Sequence, residues 1–561
     1  MSYKGQVATI PLGSGGFTGE QNADNISITD VILAKNVRFD GNIIRKVGGL
    51  ALYDANAVAL TNANCLAGID YWPSITIQKQ ITVWSPSNSN VHVFKDAGGD
   101  VDGVNIANAI TITDPVILLP CGQEYVGNNR KLLLFSKGIT PMVLNANAAT
   151  MGAFVNSTAT GWLSADWSGA NMPAAATMHD SRVVAWGNNN SPHTLYFSAL
   201  DDHTNFSYTN PADSTSYPLP IFDINPGEGE YINAAHSLGN TRLYVFKYPV
   251  GIYYIDTDSL TSLVAPVTTV RKDIGVASAK GICKAGDLGT LFIGHDGHIY
   301  SLDVINDPDA EPRNACLTKF KRLTKWLKDN INFSRLKWSQ LLYDSVRGEV
   351  IATYSKSSST VNDLSLVIDI NDPDNLRFSY EDRGQFLNAL WFVKDSSTSY
   401  FDLYQAGVGG LVYKANQSNR RIGSATAYAA EFKIPSTDFR WLDARFAQVD
   451  KRLDFAEVRM LNSGNYDLSM DLYIDDVYYN TYTFNQGSAG SILEDDGNAA
   501  TNDLLDTTFI LSSEGFLRRK AKIGGFGRRV SATLYNSGVN QDFGVATLIF
   551  YFDTLGSGGE I

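Results

Sequence analysis

The sequence predicts an all-β protein: a β-propeller of six or seven blades, with N-terminal strands before it and a C-terminal β-sandwich-like domain after it. Three observations predict this. Pairs of short β-type runs recur at a steady interval, helical periodicity is nearly missing, and beyond about residue 425 the rhythm changes to longer alternating strands. Composition agrees, since 11% of the 561 residues are aromatic and only 18% are charged, which suits packed β-structure rather than disorder.

The recurring pairs are "ITVWSPSNSNVHVF" from Ile81, "KLLLFSKGITPMVLN" from Lys131, "RVVAWGNNNSPHTLYFS" from Arg182, "RLYVFKYPVGIYYID" from Arg242, "TLFIGHDGHIYSLD" from Thr290, "EVIATYSKSSSTVNDLSLVIDI" from Glu349 and "YFDLYQAGVGGLVYKAN" from Tyr400. Their starts lie 50, 51, 60, 48, 59 and 51 residues apart, enough each time for a four-stranded blade and its loops. A lone hairpin is marginal in water, whereas a ring gives every blade two neighbours to bury its faces. Residues 61–424 are therefore assigned to the propeller.

Ahead of it, residues 1–60 form an N-terminal hairpin or platform segment. Within "NVRFDGNIIRKVGG" (36–49) the Asp40-Gly41 pair predicts a turn, and Arg38, Arg45 and Lys46 are candidate contacts to an acidic neighbour. Near 317–344, "LTKFKRLTKWLKDNINFSRLKWSQLLYD" breaks the strand pattern. Leu323, Trp326 and Leu327 fall at helical spacing, and Lys321, Arg322 and Lys325 give this short insertion a basic face that would suit an acidic partner chain. Residues 425–561 carry the long strands "AYAAEFKIP", "RWLDARFAQVDKRL", "YDLSMDLYIDDVYYNTYTF", "RRVSATLYNSG" and "FGVATLIFYFD", whose alternation predicts a sandwich. A second basic cluster, Arg518, Arg519, Arg528 and Arg529 with Lys520 and Lys522, is interleaved with apolar residues, as an intersubunit contact would be.

The formal charge of −13 argues against a general nucleic-acid binder, which needs a surplus of clustered Lys and Arg. It leaves room for DNA to pass without sticking. Cys65, Cys121, Cys283 and Cys316 are widely spaced and read as reduced thiols in a reducing cytoplasm. No stretch approaches the roughly 18 to 20 apolar residues of a membrane span. His295 and His298 flank Asp296-Gly297 in "GHDGHIY", which reads as a hairpin turn, because two histidines without a third ligand make a poor metal site. Acidic stretches at 96–103, 306–311 and 371–375 lack the full oxygen-ligand pattern of a calcium loop and read as turns. No nucleophile elbow, P-loop or zinc-protease motif is present, so neither catalysis nor a cofactor is expected.

Several segments, in order along nearly the whole chain, resemble the tail hub or nozzle (packaged-DNA stabilisation) proteins of short-tailed bacteriophages. They are "IPLGSGGFTGEQNADNISITDVILAKNVRFDGNIIRKVGGLALY", "MHDSRVVAWGNNNSPHTLYFSALDDHTNFS", "VTTVRKDIGVASAKGICKAGDLGTLFIGHDGHIYSL" and "RRKAKIGGFGRRVSATLYNSG". The resemblance implies a virion component of the tail, made in the host bacterial cytoplasm. It would form a hexameric ring below the portal-adaptor ring, around a channel through which DNA leaves, and would dock a tail needle, spikes or fibres. The competing expectation is a phage-tail receptor-binding or carbohydrate-processing propeller, which would bring paired carboxylates together at one mouth of the ring.

Overall fold

The computed structural model describes residues 5–19, 26–54, 63–74, 77–86, 91–96, 112–122, 130–147, 150–156, 167, 169, 171–206, 222–226, 230–239, 241–257, 267–305, 323–384, 387–395, 400–423, 425–487 and 516–555. They fall into two compact units. One comprises 52–365 and 385–415; the other gathers 1–51, 366–384 and 416–561. The boundaries expected at 60/61 and 424/425 follow the chain, whereas the second unit draws on three separate pieces of it.

The first unit is a β-propeller, built from seven sheets that follow one another in sequence. Sheet 1 holds Ala63–Ser74, Ile77–Pro86 and Val91–Asp96, and sheet 2 holds Ile117–Cys121, Lys131–Phe135, Met142–Asn147 and Thr150–Asn156. Sheet 3 is Ala175–His179, Arg182–Trp186, Thr194–Phe197 and Phe222–Asp223, and sheet 4 is Tyr231–Leu238, Arg242–Tyr248, Ile252–Asp256 and Val267–Arg271. Sheet 5 has Ile282–Lys284, Thr290–Ile293 and Ile299–Ser301, and sheet 6 starts with Gln340–Asp344, Glu349–Tyr354 and Leu364–Asp369. Sheet 7 takes Ala389–Lys394, Phe401–Ala406 and Val412–Gln417 and is completed by Gly49–Asp54 from far earlier in the chain.

Each of the seven sequence hairpins is an adjacent strand pair of one sheet, the middle pair in sheets 2, 3, 4, 6 and 7 and the last two strands in the three-stranded sheets 1 and 5. The reason is burial on both faces. In Lys131–Phe135, Leu132 and Leu134 pack with Leu66, Tyr71 and Ile81 of sheet 1, while Leu133 and Phe135 pack with Val183 and Tyr196 of sheet 3. Such strands read as continuous apolar runs instead of alternating ones. The same logic continues around the ring. Val184 and Leu195 of sheet 3 meet Leu243 and Val245 of sheet 4, and Phe246 of sheet 4 faces Phe292 of sheet 5 at 5.3 Å between ring centroids. Tyr354 Oη of sheet 6 donates to the Gly297 carbonyl of the sheet 5 turn at 3.0 Å, and Gln340 Nε2 donates to the Asn388 carbonyl leading into sheet 7, also at 3.0 Å. Trp391 and Tyr404 of sheet 7 then pack with Cys65 and Trp84 of sheet 1, closing the circle. At that closure Gly68 lies against the Trp391 ring so tightly that an added Cβ would stand 2.2 Å from Cε3.

The expected helical insertion is shorter than the 317–344 stretch. Thr324–Asn330 is a helix with Leu323 and Leu327 buried, Phe333–Trp338 is a 3-10 turn, and Gln340–Asp344 is the first strand of sheet 6. Lys321, Arg322 and Cys316 lie outside the described residues. Asp296-Gly297 does form a tight turn, with the Gly294 amide donating to the His298 carbonyl at 2.7 Å and Gly297 at φ 80°.

The second unit is sandwich-like. One sheet runs in the order Phe516–Gly527, Asp450–Leu461, Gly544–Leu555, Ile43–Lys46 and Val37–Asp40, and Gln6–Pro11 also pairs with Gly544–Leu555. The other includes Arg377–Glu381, Leu33–Lys35, Ala430–Lys433, Val530–Asn536, Asp467–Ile474 and Val477–Asn485, again in spatial order. Alternation is clear here, as in Asp467–Ile474, where Leu468, Met470, Leu472 and Ile474 are buried. Phe439 stacks on Phe552 at 4.7 Å within this core. Part of the predicted strand "RWLDARFAQVDKRL" is instead a 3-10 turn, Ala444–Gln448, started by the Asp443 side chain, which accepts from the Arg445 amide.

Candidate interaction surface

The N-terminal hairpin forms as expected, Val37–Asp40 pairing with Ile43–Lys46, but its two turn residues are Gly41 and Asn42, one position later than the Asp40-Gly41 pair. Gly41 takes the left-handed φ of 57° that the turn needs. The three cations on this hairpin go to different places. Arg45 lies near the surface and its Nη1 is 2.8 Å from Asp40 Oδ2 across the hairpin. Arg38 reaches the buried Glu381, whose other carboxylate oxygen is held by Arg383. Burial alone would raise the Glu381 pKa, yet the Arg383 and Arg38 guanidiniums outweigh it and hold the carboxyl at about 2. Lys46 is buried. Its Nζ donates to Asn536 Oδ1 at 3.1 Å and to the Gly538 carbonyl at 3.2 Å, and lies 4.6 Å above the Tyr428 ring. Burial pulls its pKa down to about 8 against the opposing pull of Asp542. Arg38 and Lys46 thus serve the interior of the unit.

Beside them, Asn36 ties three chain pieces together. Its side chain donates to the Asp382 and Ala429 carbonyls at 2.8 and 2.7 Å and accepts from the Asp382 amide at 2.7 Å. It is fully buried at φ 55°, a conformation that asparagine tolerates better than most residues.

The C-terminal cluster is different. Among the described residues Phe516–Gly527 is the outermost strand of its sheet, and its exposed residues alternate: Arg518, Lys520, Lys522, Gly524 and Phe526. Register places Arg518 beside Arg459, Lys520 beside Glu457 and Lys522 beside Phe455 on the neighbouring strand. Glu457 is the acidic centre of this face. Lys520 Nζ lies 3.3 Å from its Oε2, Tyr551 Oη donates to the same oxygen at 2.8 Å, and Arg459 Nε is 3.6 Å from Oε1. Burial would raise the Glu457 pKa, but these partners lower it. One carboxylate therefore serves two cations, while Arg518 stands directly opposite Arg459, and like charges facing across strands repel. Among the described residues Arg518 and Lys522 have no carboxylate partner. The result is a sheet face with excess positive charge on a chain of formal charge −13.

The other members of the predicted cluster do not join that face. Arg519 Nη2 and Nε donate to the Gly487 and Asn485 carbonyls at 2.6 and 3.1 Å, fixing a chain turn. Arg528 pairs with Asp450 at 2.9 Å, both exposed. The Arg529 amide donates to Asp475 Oδ1 at 2.9 Å, and the residue lines a cavity of about 340 Å³ with Asp438, Arg440 and Trp441. Lys325 is exposed on its helix, 2.6 Å from Asp329 one turn on. Arg459 and Glu457, absent from the sequence-derived cluster, sit 59 or more residues before Arg518, and only strand pairing joins them to it.

In the propeller, a cavity of about 270 Å³ is lined by residues of sheets 2, 3 and 4, including Trp186, Asn188, Tyr231 and Asn233, together with Lys337 and Asp114. Among the described residues, Asp114 is the single carboxylate that lines it, and it is already 2.6 Å from Lys337 Nζ. A two-carboxylate glycosidase needs a second acid in reach. No group of three His, Cys, Asp or Glu able to hold a metal occurs among the described residues. Cys65, Cys121 and Cys283 are free thiols, each pushed up to about 12 by burial. No helix among the described residues is long and apolar enough to cross a membrane.

The ring of sheets defines a β-propeller, and the remaining chain forms a separate sandwich-like unit. Comparison with known proteins gives no match to any family model and none among curated proteins. Among solved structures, the chain is similar to the WD40 domain of coronin from Toxoplasma gondii, at 8% identity and a TM-score of 0.38, covering 68% of this chain and 88% of that one.

Proposed function

We propose that this chain is a structural component of a short-tailed phage tail, a nozzle or hub subunit that assembles as a hexameric ring around the DNA-exit channel below the portal-adaptor ring. In this role it retains packaged DNA, guides its ejection, and offers docking ground for a needle, spikes or fibres. It is not an enzyme. The ordered resemblance along the chain motivates the reading, and one structural observation supports it: an excess of positive charge gathered on one open sheet face of an acidic chain. Such a face finds its complement on the carboxylate-rich surface of another copy, which is what head-to-tail contacts in a closed ring require. Acidic residues turned toward a channel would repel phosphate and leave DNA free to slide.

Imaging of tail particles that contain the chain tests the reading. Six copies around a central channel are expected, and a single copy or a position off the tail axis would overturn it. The receptor-binding or carbohydrate-processing alternative draws on the Trp186–Tyr231 cavity, and reproducible cleavage of host surface glycans by the purified protein would favour it.

A further inference from the structure

We propose that the mouth of the propeller binds a single carboxylated sugar unit, in the cavity lined by Lys137, Tyr231, Asn233 and Lys337. The proposal goes beyond the ring reading above and stands whether or not that reading holds.

The first strands of the sheets pack on one another around the propeller axis, Ile117–Cys121 on Ala175–His179 and Ala175–His179 on Tyr231–Leu238. The cavity lies where these strands begin, on the side of sheets 2 to 5. Three contacts cross the axis at that end. Lys337, which precedes sheet 6, reaches Asp114, which precedes sheet 2, at 2.6 Å. Lys280, which precedes sheet 5, donates through Nζ to the Leu66 carbonyl of sheet 1 at 2.7 Å. Trp338, just before sheet 6, packs against the cluster of sheets 1 and 2 that holds Leu66, Leu132 and Met142. Sheets 6 and 2, like sheets 5 and 1, stand across the ring from each other, with two sheets between them on the shorter way round. The turn Phe333–Trp338 therefore stoppers part of the mouth and leaves the rest as a hollow with Lys337 for one wall.

The polar groups of this hollow set its ligand. Among the described residues that line it, two lysines, Lys137 and Lys337, stand against one carboxylate, and Lys337 is the one that holds Asp114. Lys137 is exposed and has no carboxylate partner among the described residues, so one positive charge is left for a ligand. The Tyr231 hydroxyl has no hydrogen-bond partner among them either, and Asn233, whose Nδ2 donates to the Val276 carbonyl at 2.9 Å, keeps its Oδ1 as an acceptor. The Tyr231 ring is 43% exposed. An inorganic anion would use donors alone. A sugar has hydroxyls that both donate and accept, and C–H groups that pack on an aromatic ring. The phenol, the amide oxygen and the tyrosine ring answer these, and Lys137 answers a carboxylate. Size points the same way: small-ligand pockets run from about 300 to 1,000 Å³, and this one, at about 270 Å³, suits one ring rather than a chain of them. Because Asp114 is tied to Lys337 and stands alone as an acid among the described lining residues, the sugar is held and not cleaved.

Titration calorimetry on the full chain tests this with methyl glucuronide, methyl galacturonide and a methyl sialoside, each beside its neutral counterpart: methyl glucoside, methyl galactoside and the methyl ester of the sialoside. Glutarate serves as a carboxylate without a sugar ring. At least one acidic sugar is expected to bind about tenfold or more tighter than its counterpart, the size of a charge-assisted hydrogen bond, and to be recovered unchanged. Lys137→Ala should remove that preference and Lys137→Arg should keep it; both alter an exposed side chain, and an unchanged melting temperature shows the fold intact. Tyr231→Ala should weaken acidic and neutral sugars alike. Failure of every acidic sugar to bind would overturn the proposal. So would neutral counterparts that bind equally well, glutarate that binds as tightly as the sugars, a preference that survives in Lys137→Ala, or released methanol, which would show cleavage. None of these failures touches the ring reading, which imaging decides.

Discussion

In the propeller, each sheet but the last is made of consecutive strands, and except where sheet 7 meets sheet 1 its neighbours in the ring are its neighbours in sequence; in the sandwich-like unit, Leu33–Lys35 lies between Arg377–Glu381 and Ala430–Lys433. The first unit spreads its stability over repeated sheet-to-sheet contacts, all of modest sequence separation except the one that closes the ring. The second depends on a few buried polar pins, Asn36, Glu381 and Lys46, that hold distant chain pieces in register. Damage to one pin therefore loosens several strands at once, while damage to one propeller sheet weakens two joints. Long-range pairing of the second kind also slows folding.

The largest effect that sharpens this contrast is expected from Glu381→Ala. It leaves the Arg38 and Arg383 charges buried without their shared carboxylate, a loss of about 3–5 kcal/mol, and calorimetry should show the sandwich transition falling while the propeller transition holds. Phe292→Ala removes the ring that faces Phe246 between sheets 4 and 5, and about 3–5 kcal/mol should be lost from the other transition. If both substitutions moved a single shared transition, the two-unit contrast would be broken. Gly68→Ala forces a methyl into the Trp391 ring, so about 1–3 kcal/mol is expected, again confined to the propeller and visible in a denaturant midpoint.

Acid offers a further test on the sandwich side. The Glu381 carboxyl is held at about 2 in the folded chain against an ordinary value of 4.5, so its contribution is fully present above pH 4.5 and disappears as pH falls toward 2. The stability difference between the unaltered chain and Glu381→Gln should shrink over that same interval, and a difference independent of pH would place the charge elsewhere. The smallest effect is expected from Lys325→Ala, which removes an exposed pair one helical turn long and should cost about 0.3–0.5 kcal/mol, less in high salt.

The sequence revealed one hairpin in every propeller sheet, because strands buried on both faces are apolar throughout. It concealed the first strands, such as the three residues Ile282–Lys284, and Gln340–Asp344, which follows a helical stretch without a turn residue to separate them. In the sandwich-like unit alternation marked most strands, but not their partners. Nothing local in "NVRFDG" shows that Arg38 answers a carboxylate 343 residues away, or that Lys46 is buried. The basic strand was legible as a run of cations. Its division into an outward row, Arg518, Lys520 and Lys522, and a tied-down Arg519 required the pairing with Asp450–Leu461.

The completion of sheet 7 by Gly49–Asp54 also sets a schedule. That strand leaves the ribosome 358 residues before Val412, the first residue of its partner strand, since 412 minus 54 is 358. At about 5–20 residues per second, the interval is roughly 20 to 70 seconds. Throughout that time an uncompleted edge waits while sheets 1 to 6 are made, so joining the two ends of the ring is the last step in building the propeller, and only the later strands of the sandwich-like unit are still to come.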